Sequence, residues 1–138
     1  MDAFDADVLI YAAVPGHDLG ERVLALFLAE STGDDAPLAG VGSTLLLPEV
    51  LTRPTRDGRE DEIATLAGLL ARIDLRPVDE ETATLAVALG SAYGLRSADA
   101  VHLATAVMAG ADRFLTNNSR DFPRSVEETV VTYPADLA

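Results

Sequence analysis

The sequence contains no cysteine, which removes disulfides, zinc–thiolate sites and cysteine nucleophiles from consideration. It contains no lysine either, so all ten basic residues are arginine. Walker A phosphate loops and Schiff-base chemistry both require a lysine and fall away with it. Tryptophan is absent and aromatic residues make up only 5% of a chain that is 49% hydrophobic; the core is therefore expected to be built from Ala, Leu and Val. No apolar run approaches the ~18 residues of a membrane span. The acidic N-terminus runs straight into an apolar stretch with no visible signal peptide. A cytoplasmic protein with no membrane association is the expectation. No repeat or low-complexity linker interrupts the 138 residues, and one domain over 1–138 is the natural size.

Acid is abundant. The net charge is −13 and the pI near 4.3. Such a charge repels nucleic acid at long range and attracts cations and basic partners. It leaves room for an enzyme that reaches a phosphate through metal ions and a few arginines.

The chain is organised around its first dozen residues. Phe4, Ala6, Val8 and Ile10 alternate with Asp5, Asp7, Leu9 and Tyr11, which is strand period. A carboxylate in an apolar run is costly unless compensated, and convergent carboxylates are commonly compensated by a cation. The bland alternative makes Asp5 a strand-end acid and Asp7 a helix N-cap.

Beyond this strand, Asp18 and Glu21 form a capping-box pattern opening a helix over 21–30, with Leu24, Phe27 and Leu28 as its apolar stripe. Residues 31–35 read as a loop and 37–41 as a second strand. Ser43 or Thr44 caps a helix carrying Glu49, and 52–58 reads as a polar loop. Helices are expected over 60–73, 80–93 (stopped by Gly94) and 98–108 (capped by Ser97, stopped by Gly110). Further strands are expected at 75–78, 113–116 and 130–133, with 117–128 irregular. Strands alternating with helices predict an α/β fold with a mostly parallel sheet of four or five short strands, covered on both faces.

Ligands in such sheets sit beyond the carboxyl ends of the strands. Asp5 is expected at the end of the first strand and Glu49 on the helix after the second. Asp99 lies in a first helical turn, where the dipole favours a carboxylate. Thr116, Asn117 and Asn118 follow the fourth strand. Three carboxylates and a polar pair would then share one sheet edge. Each has a plainer reading: Asp99 as a first-turn acid, Glu49 as a solvated helix residue, Asn117–Asn118 as a turn, and His102 as a satisfied half-buried histidine rather than a ligand.

At these residues the sequence resembles the PIN-domain family, and within it the VapC-like toxins of toxin–antitoxin pairs. The opening Asp5-Ala6-Asp7-Val8-Leu9-Ile10 is similar to the family's Asp-Thr-Asn/Ser-Val-Leu-Ile start. Ser43 to Glu49 is similar to its Ser-x-x-x-x-x-Glu segment. Asp99-Ala100-Val101-His102-Leu103-Ala104-Thr105-Ala106 matches its Asp-Ala-x-His-x-Ala-Thr-Ala helix, and Gly110 through Phe122 resembles its last strand and acidic loop. The resemblance implies a PIN-like three-layer α/β/α sandwich and an endoribonuclease dependent on Mg²⁺ or Mn²⁺. Asp5, Glu49 and Asp99 carry over as metal ligands and Thr116 as the hydroxyl that positions them. Two departures stand out. Asp7 occupies a position usually Asn or Ser, and Asn118 one where many members have a fourth Asp; Asn118 is expected to act through a water, with Asp121 peripheral. The implied partners are an RNA substrate, a cognate antitoxin and a second copy of the chain in a homodimer. Arg96, Arg113, Arg120 and Arg124 are nearest in sequence for contact with RNA. Two alternatives are a degenerate PIN domain that only binds protein, and a haloacid-dehalogenase-like phosphatase built on Asp5-x-Asp7. The second lacks the Lys its phosphoaspartate normally requires.

Overall fold

The computed structural model describes residues 1–28 and 38–138. The end of the helix expected over 21–30, the loop at 31–35 and the start of the strand expected at 37–41 lie outside the described residues.

The opening strand is shorter than its alternation suggests. β1 spans Asp2–Phe4, and α1 follows at once over Ala6–Ala12. The switch happens at Asp5, whose backbone is extended and whose side chain accepts a hydrogen bond from the Ala6 N–H, making it the N-cap in place of Asp7. Val8, Leu9 and Ala12 are buried at helical rather than strand spacing. The next helix, α2 (Asp18–Leu28), is capped by His17 rather than Asp18. The His17 carbonyl accepts from Glu21 N–H at 2.8 Å and its Nδ1 from Gly20 N–H at 3.0 Å. Its inward face is Gly20, Val23 and Phe27, and Leu28 is 61% exposed, so the buried stripe is rotated from the expected one.

β2 (Gly40–Ser43) leads into α3 (Leu46–Arg56), which continues through the segment expected to be a polar loop, with Pro54 buried in its last turn. α4 is Glu60–Leu70 and β3 Ile73–Arg76, so Ile73 leaves the helix face to start a strand. α5 (Glu80–Tyr93) is capped by Asp79 and ended by Gly94 in a left-handed conformation (φ 66°) that favours glycine. α6 (Ser97–Met108) has Arg96, not Ser97, at its N-cap and no side-chain cap bond. β4 (Arg113–Leu115), β5 (Val130–Thr132) and a 3₁₀ turn at Pro134–Asp136 complete the chain.

The described strands form one parallel sheet in the order β3-β2-β1-β4-β5, with Ala3 paired to Val41 on one side and to Phe114 on the other. Alternate residues feed opposite layers. Phe4 and Leu115 join Val8, Val23, Phe27, Leu66 and Leu69 on the face covered by α1 to α4. Ala3, Val41 and Phe114 join Leu89, Leu103 and Phe122 on the face covered by α5 and α6. The result is a three-layer α/β/α arrangement. Few as the aromatics are, all four phenylalanines are buried, one tilted pair per layer: Phe4–Phe27 at 5.1 Å and Phe114–Phe122 at 5.0 Å. Close backbone approach fixes α2 on α1, since a Cβ at Gly20 would lie 1.9 Å from the Tyr11 carbonyl oxygen.

Candidate active site

The carboxyl edge of the sheet gathers the acids. Asp5 leaves β1 there and is held from three directions. Its N–H donates to the Leu115 carbonyl at 2.9 Å, its Oδ1 accepts from Ala6 N–H at 2.8 Å, and its Oδ2 accepts from Thr116 Oγ1 at 2.8 Å. It is 5% exposed, and Thr116 is fully buried. The Thr116 hydroxyl also accepts from Asn118 N–H at 3.1 Å, which ties the loop after β4 to the first acid.

That loop closes as a single turn. Phe122 N–H donates to the Asn118 carbonyl at 2.9 Å and Asp121 N–H to Asn118 Oδ1 at 3.2 Å. Asn118 Nδ2 donates to Asp121 Oδ2 at 2.8 Å. The side-chain oxygen expected to hold a water is thus engaged by the loop's own backbone, and the amide grips Asp121. Asp121 is half-buried and close enough to Asp99 for its charge to raise that residue's pKa. Asp7 is tied to the same loop, accepting from Asn117 N–H at 3.0 Å through Oδ2, while its buried Oδ1 has no hydrogen-bond partner among the described residues.

The helices bring the remaining groups. Ser43 Oγ accepts from Leu45 N–H at 3.1 Å in the turn before α3, on whose first turn Glu49 sits. Its Oε1 accepts from His102 Nε2 at 2.5 Å, and the His102 side chain is 0% exposed against 35% for Glu49. Asp99 stands half-buried in the first turn of α6.

The electrostatics record how crowded this edge is. Burial pushes the Asp5 carboxyl up, opposed by the His102 charge and the Thr116 hydrogen bond. Burial, then the Asp5 charge, pushes Asp7 up to about 7. Asp99 is raised by partial burial and by Asp5 and Asp121. For His102, burial pulls downward, but the Glu49 hydrogen bond and the charges of Asp5, Glu49 and Asp99 win and its pKa rises. Even so, no three acidic or histidine side chains among the described residues are placed, as they stand, to hold a metal ion together. Like-charged carboxylates are individually tied to His102, Asn118 and the Asn117 amide instead.

Asp5 and Thr116 are therefore in direct contact, Glu49 and Asn118 are each held by a neighbour, and Asp99 faces the others electrostatically. The structure adds two contacts to those expected, Asn118–Asp121 and Glu49–His102. The three-residue spacing of Asn118 and Asp121 before a buried Phe122 was the available signal for the first. Nothing in the sequence pointed to the second, because residues 49 and 102 lie on separate elements. Two of the arginines expected nearby are spent elsewhere. Arg113 is bidentate to Asp2 at the opposite edge of the sheet, at 2.9 Å for both bonds. Arg124 is bidentate to Asp136 and lies 4.4 Å over the Tyr133 ring. Arg96 and Arg120 are exposed and make no ion pair among the described residues.

Solved structures with this fold include a toxin–antitoxin complex from Klebsiella pneumoniae, at 23% identity and TM-score 0.75 over 97% of this chain and 98% of that one. VapBC2 from Rickettsia felis, bound to a DNA fragment from its promoter, gives 14% and 0.70 over 96% and 97%. FitAcB from Neisseria gonorrhoeae gives 22% and 0.61 over 99% and 100%. No curated protein sequence matches the chain. The PIN domain description matches residues 3–127, which takes in every acid of this sheet edge, and the chain belongs to the PIN domain family.

Proposed function

We propose that this protein is a divalent-cation-dependent endoribonuclease and the toxin of a VapBC-type toxin–antitoxin pair. The observation that carries the reading is the convergence of Asp5, Glu49, Asp99 and Asp121 on one sheet edge, around the buried His102 that is bonded to Glu49. The donors are all hard oxygens, which suits Mg²⁺ or Mn²⁺ over softer metals. The unpartnered Oδ1 of Asp7 and the raised carboxyl pKa values mark an edge short of positive charge, so the residues fit a cation.

Asp5, Glu49 and Asp99 are the proposed ligands, with Asp121 as the fourth acid in preference to a water carried by Asn118. A bound ion supplies there a water of lowered pKa and charge to offset the phosphodiester oxygens. The chain's own residues do the rest. Thr116 holds Asp5 in one orientation, Asn118 holds Asp121, and Arg96 and Arg120 offer phosphate contacts on an otherwise repulsive surface. The test is cleavage of RNA with Mg²⁺ or Mn²⁺ against excess EDTA, with Asp5→Ala and Asp99→Ala followed by calorimetry. Activity that persists in EDTA, or unchanged Mn²⁺ affinity in both variants, would overturn the assignment.

The Klebsiella pneumoniae relative named above is a toxin–antitoxin complex, which supports an antitoxin partner. A groove of about 700 Å³ sets Val14 and Pro15 beside Glu60, Asp61 and Glu62, a surface suited to an apolar segment flanked by Arg or Lys. A homodimer is part of the same proposal, to be checked by light scattering. No helix among the described residues is long and apolar enough to cross a membrane, and the cytoplasm, where RNA and antitoxin are made, is the proposed compartment.

A further inference from the structure

We infer that His102 is a positioning residue that holds Glu49 by one oxygen and presents the other to the cation. The inference rests on the metal-dependent reading given above. Glu49 is a long side chain on an exposed part of α3, free to sample many rotamers unless something fixes it. His102 comes from α6, whose residues 103–106 are all buried, so its ring has a rigid seat. The acceptor is a carboxylate, so Nε2 carries the proton that it donates to Oε1 at 2.5 Å. Glu49 Oε2 makes no hydrogen bond among the described residues.

The opposite role, a latch that must let go before the cation enters, is disfavoured by what release would leave behind. His102 Nδ1 is already buried without a partner among the described residues. Losing Glu49 would strand both ring nitrogens in the interior, and unpaired buried polar groups are costly. A carboxylate has two oxygens, and a cation needs only one of them, so both partners are served at once. Hydrogen bonds from a neighbour to a ligating carboxylate commonly raise metal affinity in this way.

The experiment is Mn²⁺ calorimetry on the full chain with His102→Gln and His102→Asn, alone and combined with Glu49→Ala. Glutamine places an N–H where Nε2 stands and should bind Mn²⁺ within about threefold of the parent, whereas asparagine falls short and should lose roughly 10- to 100-fold. In the Glu49→Ala background the His102 substitutions should add nothing further. Equal affinity of the two His102 variants, or additive losses, would reduce His102 to a structural residue. Should either variant fail to fold, the parent protein decides by nitrogen-15 spectroscopy of its two histidines. The Nε2–H of His102 bonded to carboxylate should persist on Mg²⁺ saturation; its disappearance would make the pair a latch. A parent that binds neither ion would remove the metal-dependent reading itself, separately from the role of His102.

Discussion

Thr116 Oγ1 donates to Asp5 Oδ2 at 2.8 Å across a separation of 111 residues, in a site where both side chains are buried. Valine has the shape of threonine without the donor. Thr116→Val should lower stability by about 1–3 kcal/mol, the cost of leaving a buried acceptor unsatisfied. Thr116→Ser should recover most of it. Urea unfolding of both variants in EDTA tests this, and equal midpoints would mean that the bond contributes nothing.

The acids set a pH dependence whose sign is unusual for carboxylates. Asp7 titrates near 3.8 when free and is raised to about 7 in the fold. Between these values the folded, cation-free chain holds a proton that the unfolded chain does not. Stability therefore falls as pH rises through that window. The raised values of Asp5, Asp99 and His102 act in the same direction. Asp7→Asn should flatten the slope and raise the unfolding midpoint near pH 8. An EDTA-treated protein that grows more stable from pH 5 to 7 would contradict this.

Asp121→Ala should lower metal-dependent turnover roughly 10- to 100-fold, and Asn118→Ala should do the same through loss of its grip on Asp121. If Asp121→Ala cleaves RNA normally while Asn118→Ala does not, Asn118 acts by itself and Asp121 is peripheral.

Among the arginines, Arg96→Ala and Arg120→Ala should each weaken RNA binding and shallow its salt dependence. Arg113→Ala, at the far edge of the sheet, should leave binding per folded molecule unchanged. Filter binding at several salt concentrations separates the three; a loss confined to Arg113→Ala would put the substrate on the wrong face.

Gly20→Ala tests the fold itself. A Cβ there meets the Tyr11 carbonyl oxygen at 1.9 Å, and backbone cannot yield as a side chain can. A loss of about 1–3 kcal/mol, the usual overpacking cost, is the minimum expected. A variant as stable as the parent would show that α1 and α2 can separate freely.

What was legible in the sequence was legible for local reasons. Gly94 and the apolar stripe of Leu66, Leu69 and Leu70 act through neighbours a few residues away. The alternation at Phe4 to Ile10 misled because period-two and helical patterns overlap in an almost wholly apolar run, and the deciding event is the cap made by Asp5. His17 as a cap was missed because an imidazole nitrogen seldom takes that role. At the candidate site, Asp5, Glu49, Asp99 and Thr116 were singled out by position at strand and helix ends together with the family resemblance. The bonds joining Glu49 to His102 and Asp7 to the Asn117 amide depend on packing between distant segments, on which local pattern is silent.

The strand order carries a consequence in time. β1 lies in the middle of the sheet, and one of its neighbours, β4, is made long after it. At translation rates of about 5–20 residues per second, roughly 6 to 22 s pass between synthesis of Asp5 and of Thr116. Throughout that interval the first acid has no hydroxyl beside it and the acidic edge lacks one wall. Under the proposed function, activity would be withheld from every nascent copy until Thr116 has been made, and a partner already present in the cell would meet the cleft at the moment it forms.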